Sequence, residues 1–350
     1  MLPYENIGPS TYPFEEGTVL YSKLRPYLNK VVVADAPGVA TTELVPLLCD
    51  RTKLLPQYLA HYLRSPEFLN FANTVVAGAK MPRMVMSEFW AYKVPVPPLA
   101  EQCRIAALLN QAAALCAKRA ETVARLDGLA QSIFTEMFGD PRANDRQWTR
   151  GKIGECISDM RGGAALEPDD FISEGFPILH KGAIKAHGEV YLDQKKKTFV
   201  DTEYAKAKSQ CIVDRTFVAI TLRDLVPSGP SIGLAASLLT GPYDKYLLAQ
   251  GAYGFRLNHR LVTPEYFVSL SNMPTFRHVL RQNAVGSTQI HIRTPVYLEI
   301  GLPLPPIGLQ QKFSASIRHL ESIKTKARAS AEEFEKLFAS LQHSAFRGEL

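Results

Sequence analysis

Among the residues that could do chemistry, one pattern fits a metal-dependent nuclease. Pro168-Asp169 and the later Asp193-Gln194-Lys195 match the arrangement in which carboxylates hold Mg²⁺ and a lysine orients the attacking water. So short a pattern arises by chance in most chains of this size. The sequence contains no GxGxxG, GxxxxGK[ST], HExxH or GxSxG motif, the eight histidines have no partner four residues away, and the five cysteines lack metal-ligand spacing. A standalone nuclease is therefore kept only as an alternative.

The composition indicates a folded protein of about two domains. The 350 residues carry 40 Lys+Arg against 34 Asp+Glu, a formal charge of +6, and 46% are hydrophobic. The basic excess lies mainly in residues 141–302, which is compatible with polyanion binding and equally with solubility alone. No apolar run approaches the roughly 18 residues needed to cross a bilayer, and no signal segment opens the chain. These features predict a cytoplasmic protein with reduced thiols and no membrane partner.

An internal repeat links two distant parts of the chain. The sequence PVPPLAEQ at 95–102 returns as PLPPIGLQ at 303–310, a shift of 208 positions. The same shift, without a gap, superposes four further identities: Tyr58 on Tyr266, Pro66 on Pro274, Phe68 on Phe276 and Gly78 on Gly286. The repeat therefore predicts that a whole structural unit occurs twice.

Each proline box precedes about 40 residues without proline, and each of these segments is predicted to be one long helix that starts at the box. Apolar residues recur at three- and four-residue steps, as in a coiled coil. In the first helix, where Arg119 and Thr122 interrupt the seam, they are Ile105, Leu108, Ala112, Leu115, Leu126, Leu129 and Ile133, and in the second Leu320, Ile323, Ala327, Phe334, Leu337 and Leu341. We expect the two seams to bury each other, with packing of each helix on its own globular block as the alternative.

Residues 141–302 have the texture of mixed strands and short helices. Runs such as FVAI at 217–220 alternate with turn residues such as PSGP at 227–230. Residues 264–281 are predicted to form a helix with proline at its first position, and residues 56–63 are its duplicate. The predicted fold class is α+β: two mixed α/β blocks, each followed by a long helix, with the two helices packing as an antiparallel coiled coil.

These features resemble the specificity subunits of type I restriction-modification systems over nearly the whole chain. The resemblance is carried by the two proline boxes with their glutamines, the long helix after each, the segment GTVLYSKLRPYLNK at 17–30 and the ending AFRGEL at 345–350. It implies target-recognition domains at 1–98 and 141–302, joined by spacer helices at 99–140 and 303–350. A generic helical bundle or a signalling stalk would not explain a duplicated globular block.

The resemblance also implies a non-catalytic role among several partners. Each target-recognition domain would read one half of a split sequence in double-stranded DNA, and the paired helices would dock two methyltransferase subunits and a restriction/translocase subunit. The cofactors S-adenosylmethionine, ATP and Mg would be bound by those partners and none by this chain. A protein-only scaffold with drifted recognition domains is a further alternative. The first block departs from the pattern, because residues 2–7 look equivalent to the region near Pro177, and one strand-rich segment is expected to be missing.

Candidate DNA contacts are side chains that reach base edges or phosphates from loops. In the first block they are Lys23, Arg25, Lys30, Lys80 and Arg83, and in the second Lys181, Lys185, Arg223, Gln289, His291 and Arg293. Arg223 is interpreted as the counterpart of Arg25. Gln289 and Arg293 are favoured for base contacts, because amide and guanidinium groups pair bidentately with adenine and guanine.

Helix length is expected to set the gap between the two half-sites. About 40 residues at roughly 1.5 Å each span some 60 Å, more than one DNA turn of about 34 Å. Inserting four residues into each helix is therefore expected to lengthen the spacer in the methylated DNA motif by about 6 Å. Sequencing of the modified sites measures this gap. An unchanged spacer would contradict the prediction that helix length sets the gap.

Overall fold

The computed structural model describes residues 11–186, 188–193 and 196–350. The start proposed for the first block, at residues 2–7, lies outside these ranges. The chain divides into two compact units, a first unit made of Met1–Val123 with Lys326–Leu350 and a second unit made of Ala124–Thr325. No helix within the described ranges is both long enough and apolar enough to span a membrane.

The strands, in chain order, are β1 (Thr11–Phe14), β2 (Val19–Ser22), β3 (Val31–Val33), β4 (Gly38–Thr41), β5 (Leu44–Leu47), β6 (Val76–Ala77), β7 (Arg83–Met84), β8 (Arg150–Lys152), β9 (Ile157–Gly162), β10 (Phe176–Leu179), β11 (Phe199–Val200), β12 (Ile212–Asp214), β13 (Phe217–Thr221), β14 (Arg223–Asp224), β15 (Ala235–Ser237), β16 (Lys245–Leu248), β17 (Ala252–Leu257), β18 (Ile290–His291) and β19 (Gly301–Pro303). The α-helices are α1 (Pro56–Leu63), α2 (Pro66–Thr74), α3 (Met86–Ala91), α4 (Leu99–Phe138), α5 (Thr202–Ala207), α6 (Pro264–Asn272), α7 (Pro274–Gln282), α8 (Thr294–Glu299) and α9 (Ile307–Arg347).

The core of the first unit lies between a small antiparallel sheet and two short helices. The sheet has the order β3-β2-β5, and β1 pairs separately with β4. Its residues Val19 and Tyr21 pack with Leu59 of α1 and Phe68 of α2. Proline at the first turn starts α1 and α2, where the missing N–H costs nothing.

The second unit repeats this sheet and extends it. The order β15-β13-β17-β9 contains the counterpart of β3-β2-β5, because Val45 pairs with Tyr21 while Tyr253, 208 positions later, pairs with Ile220. A second sheet, β11-β10-β16-β12, includes the parallel pair β10-β16. β13 is buried along its whole length, as expected for a central strand with an uninterrupted apolar sequence.

The two long helices pack together in antiparallel fashion, as the duplicated seams predict. In the first unit, the guanidinium of Arg119 lies 3.9 Å from the ring centre of Phe334 and donates to Ser330 Oγ at 2.5 Å. In the second unit, the rings of Phe134 and Phe313 meet edge-on with centroids 5.7 Å apart. Later residues of α4 therefore contact earlier residues of α9, as in an antiparallel pair.

The phase of the seam differs from the sequence prediction by one residue at four places. Leu115, Leu129, Ile323 and Leu337 are 49%, 43%, 40% and 62% exposed. The inward positions belong to the next residue in each case, namely Cys116, Ala130, Lys324 and Phe338. The predicted seam favoured leucine and isoleucine. It therefore missed Cys116 and Ala130, whose small side chains let the helices approach closely, and Lys324, which is buried against acidic partners.

The helix predicted over residues 264–281 is broken into α6 and α7. Met273 between them has an extended backbone, with φ −61° and ψ 129°. The cause is Pro274, whose ring disfavours a helical conformation in the residue before it. Pro274 then starts α7 at a position that suits it.

Candidate nucleic-acid interface

A buried glutamine fastens each proline box to its globular block. Gln102 Oε1 accepts a hydrogen bond from the Leu55 N–H at 2.8 Å, and its Nε2 donates to the carbonyl oxygens of Lys53 at 2.8 Å and Pro97 at 2.7 Å. The Tyr58 hydroxyl adds a bond to the Pro95 carbonyl at 3.0 Å. These contacts fix the direction in which α4 leaves the first block.

The same bonds recur 208 positions later. Gln310 Oε1 accepts from the Thr263 N–H at 3.1 Å, and its Nε2 donates to the carbonyls of Leu261 at 3.0 Å and Pro305 at 2.8 Å. The Tyr266 hydroxyl donates to the Pro303 carbonyl at 2.8 Å. The sequence repeat is therefore also a repeat of hydrogen bonds. It attaches each long helix to the globular block before it in the same way. Sequence reasoning identified the glutamines only as part of the box.

In the first unit, the structure brings two predicted DNA-contact segments together. Leu24 bridges Arg83, and the Arg25 N–H donates to the Pro82 carbonyl at 2.7 Å. Arg25 is exposed in a left-handed conformation with φ 53°, directly before Pro26. Lys80 is exposed in the loop between β6 and β7. Lys23 is half-buried and Lys30 exposed, at either side of the same turn.

Arg83 is held by an acidic neighbour that the sequence did not reveal. Its Nε lies 3.0 and 3.1 Å from the two carboxylate oxygens of Glu43, and its Nη2 lies 2.8 Å from Oε1. The hydrogen bonds from Arg83 hold the pKa of the Glu43 carboxyl below its usual range. A bidentate pair of this kind orients the guanidinium, so Arg83 is a weaker candidate for base contact than its exposed neighbours.

In the second unit, the pairing of β14 with β18 assembles three of the predicted residues. Arg223 lies opposite His291 in the register, and Arg223 Nη2 donates to Gln289 Oε1 at 2.6 Å. Arg223, Gln289 and His291 thus form one polar patch on the second unit. Lys181 is half-buried in the 3-10 turn Lys181–Ala183, and burial lowers the pKa of its ammonium.

The remaining two predicted residues lie on adjoining loops. Arg293 is exposed directly before α8, two residues after His291. Lys185 is exposed, donates to the Gly182 carbonyl at 2.8 Å and lies 5.5 Å from the ring centre of Tyr191, which is 59% exposed. A cation beside an exposed aromatic ring is an arrangement that suits nucleic-acid surfaces as well as simple packing.

The interpretation of Arg223 as the counterpart of Arg25 is wrong by one residue. The Met84 N–H donates to the Lys23 carbonyl, and the Ile292 N–H donates to the Leu222 carbonyl. Since Met84 and Ile292 are related by the repeat, the register aligns Arg223 with Leu24. The error arose because the spacing before this turn differs between the two units, and only the pairing fixes it.

Asp224, which therefore corresponds to Arg25, shapes the loop after β14. It is 4% exposed and accepts from the N–H groups of Leu225 at 2.7 Å, Val226 at 3.3 Å and Ser231 at 2.6 Å. Burial raises its pKa, but these hydrogen bonds, led by that of Ser231, outweigh burial and leave the pKa lowered. The ionised carboxylate thus fixes the conformation of the following loop, in which Leu225 and Val226 are 55% and 44% exposed. An aspartate at the end of a strand was the available signal for this turn.

The nuclease pattern gains no support. Asp169 lies in a short 3-10 turn at Pro168–Asp170, while Gln194 and Lys195 lie outside the described residues. Within the ranges that the structure covers, no three histidine, cysteine or acidic side chains come together as a candidate metal site.

Comparisons with known proteins agree with the resemblance. The family model described as "Type I restriction modification DNA specificity domain" matches residues 9–123. The MjaVIII specificity subunit of Methanocaldococcus jannaschii is 20% identical over 89% of this chain and 74% of its own length. The EcoKI specificity subunit of Escherichia coli K12 is 22% identical over 84% of this chain and 65% of its own length.

A solved structure shares the fold of nearly the whole chain. It comes from work on complex assembly and conformational transition of the type I R-M system, and it matches with a TM-score of 0.59 at 19% identity, over 99% of this chain and 86% of that one. The matched domain, the two relatives and the repeated block-and-helix architecture agree in one likeness: the chain is similar to the specificity subunits of type I restriction-modification systems.

Proposed function

We propose that the chain is the DNA sequence-specificity subunit of a type I restriction-modification complex. Each unit reads one half of a bipartite target, and the chain itself performs no catalysis. Methyltransferase subunits supply the S-adenosylmethionine-dependent chemistry, and a restriction subunit supplies ATP-driven steps with Mg. The observation that carries the proposal is the duplicated attachment of a reader block to a long helix through Gln102 and Gln310.

The polar patch of the second unit has chemistry suited to reading bases. A guanidinium offers several N–H donors in a fork, and guanine presents two acceptors, N7 and O6, in the major groove. Because Arg223 is already hydrogen-bonded to Gln289, the two side chains are ordered relative to each other before DNA arrives. Exposed lysines such as Lys185 then provide phosphate contacts that fix position without selecting sequence.

The paired helices supply the platform for the partner subunits. Their outward faces carry exposed apolar residues, Leu115 and Leu129 on α4 and Ile323 and Leu337 on α9, which the antiparallel packing leaves uncovered. We assign these outward faces of α4 and α9 to the methyltransferase subunits, and the complex to the cytoplasm, where its DNA target lies.

Substitution in the patch, or at the adjoining Arg293, is expected to relax one half-site. Gln289→Ala and Arg293→Ala should each lose about 1 to 3 kcal/mol of discrimination per base contact removed, with the other half-site unchanged. The measurement is methylation of matched and single-base-altered duplexes by the complex assembled with its methyltransferase subunits. Gln282→Ala and Arg260→Ala are matched controls, since both residues are exposed and lie outside the patch.

Equal methylation of matched and scrambled half-sites by the unmodified complex would refute sequence reading by the second unit. Cleavage of DNA by the isolated chain with Mg²⁺ alone would instead favour the nuclease alternative. DNA binding by the assembled complex that weakens steeply with salt argues against a protein-only scaffold.

A further inference from the structure

A turn of exposed apolar residues directly follows the polar patch of the second unit. Leu225 and Val226 are 55% and 44% exposed, and Pro227 after them is exposed as well. They come directly after β14, whose Arg223 belongs to the patch. A run of three exposed apolar residues does nothing for the stability of the unit, and it indicates a surface that contacts another molecule.

Hydrogen bonds within the turn fix its backbone. The Gly229 N–H donates to the Val226 carbonyl at 3.1 Å, and Pro227 occupies the position of the turn that suits its fixed φ. The Asp224 carboxylate accepts from the N–H groups of Leu225 at 2.7 Å and Val226 at 3.3 Å. The two apolar side chains are therefore presented on an ordered backbone, so that contact with a partner costs little further ordering of the loop.

Neighbouring elements hold the far end of the turn beside the patch. Gly229 has φ 59°, and a Cβ at this position would lie 2.5 Å from Ile290 Cδ1, so glycine lets the turn pack closely on β18. Arg277 of α7 donates from Nε to the Ile232 carbonyl at 3.1 Å and from Nη2 to the Pro230 carbonyl. Since Ile290 stands between two residues of the patch, the apolar turn and the patch lie side by side.

The major groove of DNA offers an apolar group beside the acceptors that suit the patch. Guanidinium and amide groups pair with guanine and adenine there, and thymine presents its 5-methyl group on the same edge. Apolar side chains that wedge between stacked bases act from the minor groove instead. A rigid apolar turn next to Arg223 and Gln289 is therefore placed to pack against thymine methyl groups while these two side chains bond to neighbouring bases.

The repeat places apolar residues of other types at the same turn of the first unit. The register that the Lys23 and Leu222 carbonyls establish aligns residues 225–226 with Pro26 and Tyr27. The apolar character of the turn is shared, whereas the individual side chains differ. Such a difference is expected at positions where two similar units read different bases.

We infer that Leu225 and Val226 recognise thymine in the half-site of the second unit by packing against its 5-methyl group. The inference rests on the proposed function and adds apolar readers to the polar patch. The patch selects purines through hydrogen bonds, and the turn selects thymine over cytosine, which carries a hydrogen in place of the methyl group. Asp224 acts as a positioning residue that holds the two readers in place.

Removing single methyl groups from the DNA tests the contact. Each thymine of the methylated motif is replaced in turn by deoxyuridine, which keeps the base pair and every hydrogen-bonding group of the base. At the contacted thymine, binding by the complex with its methyltransferase subunits should weaken about three- to fivefold, the cost of leaving one methyl group unburied. Bromodeoxyuridine at the same position should restore binding, because bromine is close to a methyl group in size.

Alanine at both readers should abolish this dependence on the methyl group. The double variant Leu225→Ala with Val226→Ala should bind the thymine and deoxyuridine duplexes with equal affinity. Leu239→Ala is the matched control and should keep the difference. Leu239 is 54% exposed, and the bond from the Leu238 N–H to the Phe217 carbonyl places it at the opposite end of β13 from the patch.

Three results would overturn the inference while sequence reading stands. One is a wild-type complex that selects its motif but is insensitive to every deoxyuridine. Another is a double variant that still distinguishes thymine from deoxyuridine, since the methyl group then contacts other residues. The third is a double variant that no longer assembles with the methyltransferase subunits, which would make the turn a protein contact. Failure of the proposed function is a separate outcome, in which the wild-type complex binds matched and scrambled motifs equally.

Discussion

Replacing Gln310 with alanine is expected to lower the free energy of unfolding of the second unit by about 2 to 5 kcal/mol. The side chain is 0% exposed and makes three hydrogen bonds, to the Thr263 N–H and to the carbonyls of Leu261 and Pro305. Alanine removes all three while the backbone groups stay in place, and each buried group left without a partner costs about 1 to 3 kcal/mol. Water that enters the space left by the side chain can hydrogen-bond to some of these backbone groups. The total cost is therefore lower than the sum for three unpaired groups.

The adjacent Gln311 supplies the control, because it is exposed on the same turn of α9 and Gln311→Ala should change stability by no more than about 0.5 kcal/mol. Since a chain of two units need not unfold in one step, the readout is hydrogen exchange of the Thr263 amide together with denaturant unfolding. Gln102→Ala should expose the Leu55 amide in the first unit in the same way. If the Thr263 amide exchanges as slowly in the Gln310→Ala chain as in the wild type, Gln310 does not hold the proline box to the second block.

The sequence predicted the larger architecture because proline boxes and an internal repeat can be recognised without knowing which residues are in contact. The two boxes located the start of each long helix to within a residue, since a proline pair cannot lie inside a helix. The one-residue error in the seam had a different origin. Cys116 and Ala130 are weak apolar signals, whereas Leu115 and Leu129 are strong ones, and only the approach of the partner helix decides which faces inward.

The candidate site was predictable by segment but not by contact. The loops with Arg25, Lys80 and Gln289 were located because glycine and polar residues interrupt apolar runs. The pairings of Arg83 with Glu43 and of Arg223 with Gln289 join residues that are 40 and 66 positions apart, and a single sequence carries no signal for such partners.

Lys324 is the residue for which sequence and structure disagree most. Its side chain is 2% exposed, and its Nζ lies 3.0 Å from Asp127, 3.0 Å from Glu321 and 3.4 Å from Glu189. Burial lowers the pKa of the ammonium, but the hydrogen bonds that it donates to Asp127 and Glu321 outweigh burial, and the pKa is raised overall. Lys324 therefore stays charged at neutral pH and joins α4, α9 and the Glu189 loop of the second unit.

Lys324→Met is expected to destabilise the second unit by about 2 to 4 kcal/mol. Removing one partner of a buried ion pair leaves the other charges uncompensated, at a cost of about 3 to 5 kcal/mol. The lower range applies because the three carboxylates are 19% to 33% exposed and can be partly hydrated. The measurement is denaturant unfolding, with Lys326→Met at an exposed position of α9 as the control.

A second substitution and a pH series separate charge from packing. Asp127→Asn should restore part of the stability of the Lys324→Met chain, since it removes one of the repelling carboxylates, whereas in the wild-type background it should destabilise. A raised lysine pKa contributes stability that is complete below the unfolded value of 10.5 and is lost only as pH rises through the folded value. The difference between wild type and Lys324→Met should therefore stay constant from about pH 6 to 9. A difference that vanishes within this range, or no recovery with Asp127→Asn, would show that Lys324 acts through its hydrocarbon stem alone.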